Sequence, residues 1–456
     1  MTNPNAAAPG ATDRDSFRRI WALAWPTVVY SLLELSLGAA DFLMVRGLGS
    51  DASAAIGLNR QITFLIEAAA LAVSTGVIAL VSQGMGAKDS RQVDGAIRQS
   101  LRLVVLLGVP VTLLGYAASG PLLALMQASP ETLGHGVPYL RIYFLGTVFL
   151  WANLVSAAVF RGAGDPRTPL KLVSVMSVLN VALNYVCIYG AGPVPAYGVA
   201  GAALGTVGAR VVGTAAYLVL LGRGAGGVRL RLRPWLDLDG PLLRRMLRVG
   251  AWPALAGVMR NGARVVFVGM LGAGVSGAAL HAAVGVGLQV RLIAVLPALA
   301  FQVAAATLVG QAVGAGDPDR AETLGNRSVL LLAAIMATVT GVSILAARPL
   351  AELFLADPEV AALGATVIRW FAVAQLFSSL SIGTQGALTG AGATRPILGY
   401  TVVTQWGVLL SLTVVLFVVL GWEPEGALVA WVVAPVLQLV LMQRLFRQGG
   451  WRNRRA

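Results

Sequence analysis

Long apolar runs alternate along the whole chain with short breaks that carry charged residues, glycine or proline. A helix that crosses a bilayer takes about 20 predominantly apolar residues, and each run reaches that length. The pattern therefore predicts an all-α integral membrane protein with about 12 transmembrane helices. The predicted helices are residues 17–47, 55–84, 95–118, 133–160, 168–190, 197–222, 241–272, 278–312, 324–347, 359–388, 396–420 and 425–446.

The composition agrees with a membrane protein and disagrees with a soluble one. Hydrophobic residues make up 57% of the 456 residues, charged residues make up 12%, and the mean hydropathy is +0.77. An ordinary soluble domain carries roughly 25% charged residues. A soluble fold with so little charge would expose a large apolar surface to water, so lipid is the solvent that fits.

The basic residues indicate how the chain is oriented. The net charge is +14, and nearly all of the basic residues are arginines. They cluster in every second break and at both termini, which is the pattern of cytoplasmic loops rather than of a nucleic-acid surface. We therefore expect a multi-pass protein of the plasma membrane with both termini cytoplasmic and no nucleic-acid partner.

The longest basic segment lies between the sixth and seventh apolar runs and predicts a linker between two lobes. The first residues are rich in alanine, proline and asparagine, and they are expected to be disordered. The predicted organisation is a lead-in at 1–15, an N-lobe at 16–222, a cytoplasmic linker at 223–240, a C-lobe at 241–447 and a basic tail at 448–456.

The chain also repeats itself at half its length, with an offset of 227 or 228 residues. The matching segments are residues 24–26 with 251–253, 80–89 with 308–317, and 162–164 with 390–392. Three matches in register predict two pseudo-symmetric six-helix bundles around a central cavity. Repeats with an even number of helices are parallel, and transporters built in this way bind substrate between the halves and alternate in access.

No enzyme constellation is present in the sequence. The two histidines, His135 and His281, are far apart, and no phosphate-binding loop of the ATPase form occurs. The single Cys187 cannot form a disulfide within the chain, and no cysteine spacing indicates a metal site. We expect no catalytic residue, no metal and no cofactor, and an ion gradient as the source of energy.

Acidic residues inside the predicted spans are the leading functional candidates, because an ionisable group in a membrane is costly unless it is paired or faces water. In the first half these are Glu34, Asp41 and Glu67. Glu34 and Asp41 are seven positions apart and share one helix face. Pro26 lies on nearly the same face, and a proline removes a backbone hydrogen bond and bends a helix. Proton binding beside a bend is a plausible switch.

Two amides accompany these acids. Asn180 and Asn184 are four positions apart, so they face the same way and can hydrogen-bond the Asp41 carboxyl in either protonation state. Each candidate has a structural alternative. The asparagines are also suited to holding helices together. Glu34 also fits a wet cavity wall, and Glu67 also fits a structural ion pair with an arginine.

The second half carries the opposite charge. Its spans contain Arg260, Arg264, Arg291 and Arg369 and no acid away from their ends. Arginines that face a cavity would neutralise the first-half acids or attract an anionic group. Arginines that pair with acids, or that extend to the membrane interface, would be structural.

Over essentially its full length the chain resembles the multidrug and toxic-compound extrusion (MATE) family. The resemblance rests on residues 25–26, 41–45, 83–87 with 311–315, 161–167, and the helix that carries Asn180 and Asn184. It implies two lobes around a V-shaped cavity and export of organic cations or amphipathic drugs driven by inward H⁺ or Na⁺. It also implies that Asp41 is the coupling carboxylate, that Pro26 is the bend, and that Asn180 is the partner of Asp41.

Departures from the family pattern favour the DinF-like branch over the NorM-like branch. Asn261, Ser378 and Arg291 stand where NorM-like relatives often carry carboxylates, so a C-lobe Na⁺ site is not expected. We therefore favour H⁺ over Na⁺ as the coupling ion of a monomeric multidrug antiporter that also contacts membrane lipids. The alternative is a flippase for lipid-linked oligosaccharides or anionic lipids, and the direction of Arg260, Arg264 and Arg291 distinguishes the two hypotheses.

Overall fold

The computed structural model describes residues 13–231, 238–272 and 277–452. Within these ranges the chain is helical apart from short connections, and it contains no β-strand beyond one isolated bridge. Most of the predicted lead-in, part of the predicted linker at 232–237 and the end of the tail at 453–456 lie outside the described residues. The prediction that the lead-in extends to residue 15 is wrong, because residues 13–15 already form the start of the first helix.

Membrane-length helices dominate the described chain. Eleven of its helices are long and apolar enough to cross a bilayer, and one bent pair raises the number to 12. The predicted all-α, multi-pass architecture is confirmed. The predicted single helix at 133–160 is wrong, because the chain bends there by 50°. The break lies at Gly146, where an added Cβ atom would come within 2.4 Å of Val207 Cγ2.

The first compact unit contains Trp25–Gly250. Its helices are α1 (Asp13–Arg46, from Trp25 onward), α2 (Ser50–Gly86), α3 (Ser90–Leu125), α4 (Pro130–Leu145), α5 (Thr147–Ala163), α6 (Arg167–Tyr189) and α7 (Val199–Arg223). Helix starts follow local chemistry. The Asp89 side chain accepts hydrogen bonds from the first amides of α3, and Ser129 caps α4 in the same way.

The second compact unit contains Ala251–Ala456 and the start of α1 as far as Ala24. Its helices are α8 (Gly240–Leu271, from Ala251 onward), α9 (Gly277–Ala294), α10 (Leu296–Gly314), α11 (Pro318–Leu345), α12 (Ala347–Phe354), α13 (Pro358–Gly390), α14 (Arg395–Val402), α15 (Ser411–Thr413) and α16 (Glu425–Arg447). Two π-helical stretches, Val403–Leu410 and Val414–Val419, flank α15.

The boundaries of the two units differ from the predicted linker. They fall after Ala24, within the first copy of the Ala-Trp-Pro segment, and after Gly250, directly before the second copy. The start of α1 belongs to the second unit because Ile20 and Leu23 are part of a core that includes Phe301. The start of α8 belongs to the first unit because Gly250 approaches the backbone of α2, where an added Cβ atom would lie 1.9 Å from a carbonyl oxygen.

Candidate functional site

Asp41 lies near the end of α1 in the first unit and is held by two other helices. Asn184 of α6 donates to Asp41 Oδ1 at 2.6 Å, and the Thr206 hydroxyl of α7 donates to Asp41 Oδ2 at 3.3 Å. Asn180 completes the arrangement, because its amide donates to Thr206 at 3.0 Å and its carbonyl accepts from Asn184 at 3.2 Å. We call these four residues the Asp41 ring.

The Asp41 ring is largely withdrawn from solvent. Asn180, Asn184 and Thr206 are buried, whereas Asp41 is half-buried. The side-chain oxygen of Asn184 is buried and has no hydrogen-bond partner among the described residues. An unpaired buried acceptor is costly and calls for a reason, such as a proton or ligand that occupies it in another state.

The ring depends on a close approach between α6 and α7. A Cβ atom on Gly205 would lie 2.1 Å from Asn184 Oδ1, and one on Gly201 would lie 2.2 Å from the Cys187 carbonyl oxygen. Small residues at such a contact let helix backbones approach closely within a membrane. The glycines of α7 therefore place Thr206 within reach of both asparagines and Asp41.

Arg210 lies one helical turn after Thr206 and forms a second polar group with Glu67 and Tyr143. The Tyr143 hydroxyl donates to Glu67 Oε1 at 3.0 Å, and Arg210 Nη2 lies 3.9 Å from the same oxygen. The Arg210 guanidinium also lies over the Tyr143 ring, 4.9 Å from its centroid. Arg210 is the principal positive charge acting on both Glu34 and Asp41.

Glu34 is separate from the Asp41 ring. Its side chain is exposed, and Tyr30 lies one turn earlier on α1. Arg161 lies over the other side of this pair, 5.2 Å from the centroid of the Tyr30 ring. Pro26 is buried inside α1, which continues through it as one helix. No cluster of three acidic, histidine or cysteine side chains suited to a metal occurs in the described ranges.

The second unit contains the predicted arginines in a different setting. Arg264 donates to Asn261 Oδ1 at 2.7 Å, within α8. Arg291 of α9 donates to Gln375 of α13 at 2.8 Å, and its guanidinium lies 5.7 Å from the centroid of the Trp431 ring. We call Arg260, Arg264 and Arg291 the arginine cluster, because the charge of Arg264 acts on Arg260 and the charges of both act on Arg291.

The partners of the arginine cluster are neutral. Gln375 in turn donates to Ser379 at 2.8 Å, so the chain of contacts from Arg291 ends on a hydroxyl. Ion pairs of the second unit join Arg348 to Glu352 and Arg452 to Asp319 and Glu322, and none of these involves the arginine cluster. No carboxylate among the described residues of that unit pairs with the arginine cluster.

The structure brings together some of the predicted residues and separates others. Asp41, Asn180 and Asn184 meet, but the described hydrogen bonds connect Asn180 to Asp41 only through Asn184 and Thr206. Glu67 pairs with Arg210, which is one of the alternatives that the sequence left open. Thr206 was not anticipated. In the sequence, the only feature that indicates a role for Thr206 is its position among the glycines of α7, one turn before Arg210.

Membrane-length helices in two units, with ionisable side chains held inside the spans, are the architecture of a secondary membrane transporter. The MatE family model matches residues 26–186 and 258–415, which is more than half of the chain. The chain therefore belongs to the MatE family, whose members are transporters and not enzymes.

Individual relatives agree with this assignment. The chain is 26% identical over 438 residues to a probable multidrug resistance protein NorM from Thermotoga maritima, covering 95% of this chain and 92% of the relative. It is 30% identical to the multidrug resistance protein NorM of Burkholderia vietnamiensis, covering 88% and 87% of the two chains. Because these relatives carry the name NorM, the comparisons do not support the predicted DinF-like branch.

Solved structures show the same fold. One of them, described as the outward-facing conformation of a multidrug resistance MATE family transporter of the MOP superfamily, superposes with a TM-score of 0.85. The two sequences are 22% identical, and the match covers 95% of each chain. At this identity the likeness concerns the fold alone.

Proposed function

We propose that this protein exports organic cations or amphipathic drugs in exchange for protons, and that Asp41 is the carboxyl group that binds the proton. The observation that carries the proposal is the Asp41 ring, in which two helices hydrogen-bond the two oxygens of one intramembrane carboxyl group. Relatives named as multidrug resistance proteins support this substrate class.

The hydrogen-bond directions in the ring fit an ionised Asp41. Asn184 and Thr206 both donate to the carboxyl group, and Asn180 donates to Thr206, so both carboxyl oxygens act as acceptors. A protonated carboxyl group must itself donate. The Thr206 hydroxyl can turn to accept that proton, and the unpaired Asn184 oxygen offers a second acceptor after rotation of the amide. Proton binding therefore exchanges one set of contacts with α6 and α7 for another.

The same geometry favours H⁺ over Na⁺. A bound cation needs several oxygen ligands with free lone pairs. Here both Asp41 oxygens already accept from protein donors, and the Asn180 oxygen accepts from Asn184. A metal ion would need further oxygen ligands around Asp41, whereas a proton requires only that hydrogen-bond directions change.

Pro26 gives α1 a position at which it can bend. A proline cannot donate to the carbonyl one turn earlier, so the helix is weakened there. Asp41 lies on the same helix, and its contacts with α6 and α7 change with protonation. We infer that a change in the bend at Pro26 accompanies proton binding, in a monomer whose two termini are cytoplasmic. The comparisons do not favour the flippase alternative, because the relatives are named for multidrug resistance.

Proton flux in liposomes tests the proposal. The purified protein is reconstituted in liposomes that contain a lumenal pH dye. Ethidium is then added in a buffer that contains sodium, or in one in which choline replaces all of the sodium. We expect substrate-evoked proton flux that does not need sodium and that is abolished in Asp41→Asn. Asp51→Asn is the matched control, because it makes the same substitution at an exposed position at the start of α2.

A second variant tests the ring itself. Thr206→Val keeps the size of the side chain but removes the hydroxyl that accepts from the buried Asn180 amide, so we expect proton flux to fall and the melting temperature of the detergent-purified protein to decrease. Wild-type proton flux in Asp41→Asn, or a strict requirement for sodium in the wild type, would disprove the coupling assignment.

A further inference from the structure

The arginine cluster is a concentration of positive charge without an acidic partner in the described chain. Arg260 and Arg264 are four residues apart on α8, so they lie on one face of that helix. No hydrogen bond or ion pair to a described residue involves Arg260, while Arg264 and Arg291 each donate to one neutral amide oxygen. All three side chains are half-buried, so each retains some accessible surface.

Three arginines without an acidic partner are unfavourable in a membrane span if no ligand binds them. An arginine within a membrane span is costly, and its usual compensation is an acid or a series of carbonyl groups. Like charges in a partly desolvated region also repel one another. Five N–H donors on each guanidinium exceed the acceptors that Asn261 and Gln375 provide, so most donors of the cluster are available to a ligand.

The surroundings of Arg291 hold its side chain in place. Its Nε atom is bound to Gln375, Gln375 is bound to Ser379, and its guanidinium rests on Trp431. Trp431 is itself stacked on Phe371 with ring centroids 4.8 Å apart. A small cavity borders Arg291 and is lined also by Gln375 and Ser343. The guanidinium is therefore oriented before any ligand binds, which lowers the entropic cost of binding.

We propose that the arginine cluster binds the phosphate group of an amphipathic organic compound. A guanidinium pairs with phosphate through two parallel hydrogen bonds, and it is more weakly hydrated than an ammonium group. A phosphate monoester carries close to two negative charges at neutral pH. As a ligand of three cations it therefore neutralises more charge than a carboxylate, which carries one. This inference goes beyond the proposed function and does not depend on proton coupling.

Two flavins that differ by one phosphate group test the inference. Binding of riboflavin 5′-phosphate and of riboflavin is measured by fluorescence, with the full-length protein in nanodiscs of phosphatidylcholine. We expect the wild type to bind the phosphorylated flavin about tenfold more tightly, as a charge-assisted bidentate pair provides. Arg264→Gln and Arg291→Gln should lose this preference while retaining their affinity for riboflavin.

The control is Arg369→Gln, which removes the same charge from an exposed position on α13. It should retain the preference for the phosphorylated flavin. Asp41→Asn should also retain it, because the binding measurement does not involve the Asp41 ring. A failure of the phosphate inference and a failure of proton coupling are therefore distinguishable.

A second measurement distinguishes a soluble phosphate from a lipid headgroup. The melting temperature of the protein is recorded in nanodiscs with and without phosphatidic acid. Stabilisation by phosphatidic acid that disappears in Arg264→Gln and Arg291→Gln, without a flavin preference, would support the phosphate site and assign it to lipid. Equal affinity for the two flavins together with no arginine-dependent lipid effect would overturn the inference.

Discussion

Helices α1 and α8 contain the same Ala-Trp-Pro segment and carry opposite charges further along. At the offset of 227 residues, Glu34 corresponds to Asn261 and Asp41 corresponds to Val268. Arg264 corresponds in the same way to Leu37. The two copies thus keep the packing motif at the start of the helix and differ at the positions that reach its polar face.

The two polar groups also differ in the charge of their partners. In the first unit, Asp41 accepts from two helices, and Glu67 has both Tyr143 and Arg210 as partners. In the second unit, Arg264 and Arg291 have only neutral amide oxygens. A carboxyl group held by donors from two helices is suited to switching between two internal arrangements, whereas guanidinium groups without an acidic partner are suited to binding an anionic ligand. Duplication thus provides two scaffolds, and a few substitutions give each its own chemistry.

The largest expected effect comes from the helix contact that assembles the Asp41 ring. Gly205→Ala places a methyl group where Asn184 Oδ1 lies 2.1 Å away and the Asn184 backbone nitrogen 2.6 Å away. Overpacking of this kind costs about 1–3 kcal/mol, and it separates Thr206 from α6. We expect a lower melting temperature and nearly complete loss of substrate-evoked proton flux.

Gly222→Ala is the matched control for this prediction. Gly222 lies on the same helix as Gly205, and an added Cβ atom there has no neighbour within 4 Å. Alanine is favoured over glycine within helices, so this variant should be as stable as the wild type or slightly more stable. Wild-type proton flux in Gly205→Ala would show that the first unit does not need the close contact between α6 and α7.

An intermediate effect on ligand affinity is expected when Asn261 is replaced by an acid, because the corresponding residue of the first unit is Glu34. Asn261→Asp places a carboxylate where Arg264 now donates to a neutral oxygen at 2.7 Å. The new ion pair should compete with phosphate, so affinity for riboflavin 5′-phosphate should fall about tenfold, while the melting temperature should rise. Fluorescence binding and thermal unfolding measure the two changes. Asn326→Asp adds the same charge on α11, which carries no member of the arginine cluster, and it should leave the affinity unchanged.

The smallest expected effect concerns the pair of Glu67 and Arg210. Their charged atoms are 3.9 Å apart, and the Glu67 side chain is 41% exposed, so solvent weakens the attraction. A double-mutant cycle with Glu67→Gln and Arg210→Gln should give a coupling free energy of unfolding below about 1 kcal/mol. Arg210→Gln alone should cost more than this coupling, because Arg210 also contacts the Tyr143 ring. A coupling of several kcal/mol would show that the pair is desolvated and that the first unit depends on it.

The helices of this protein could be predicted from the sequence because a membrane imposes a length and an apolar composition on each span. Spacing placed Asn180 and Asn184 on one face of their helix, since residues four positions apart share a helix face, whereas the meeting of Asn184 with Asp41 depends on how two separate helices pack. The break at Gly146 could not be predicted in this way, because residues 133–160 form one apolar run and the close approach of Gly146 to Val207 of another helix is visible only in the structure.

Thr206 illustrates a different limit of the sequence. Several threonines lie within the spans, and most of them donate to a carbonyl group one turn earlier in their own helix, as Thr404 and Thr413 do. Only the packing of α6 against α7 directs Thr206 toward Asp41 instead. The division into units also departs from the sequence pattern, because the helix starts pack by their apolar faces and not according to the position of the basic linker.

The π-helical stretches have a consequence for how the two copies are compared. Helix α6 spans 23 residues, whereas the corresponding span of the second copy, Arg395–Val419, contains 25. Each π-helical turn encloses one residue more than an α-helical turn, so two such stretches can absorb two inserted residues within a single span. The corresponding span of the second copy can therefore hold two more residues than α6 with a smaller increase in helix length than an uninterrupted α-helix would need.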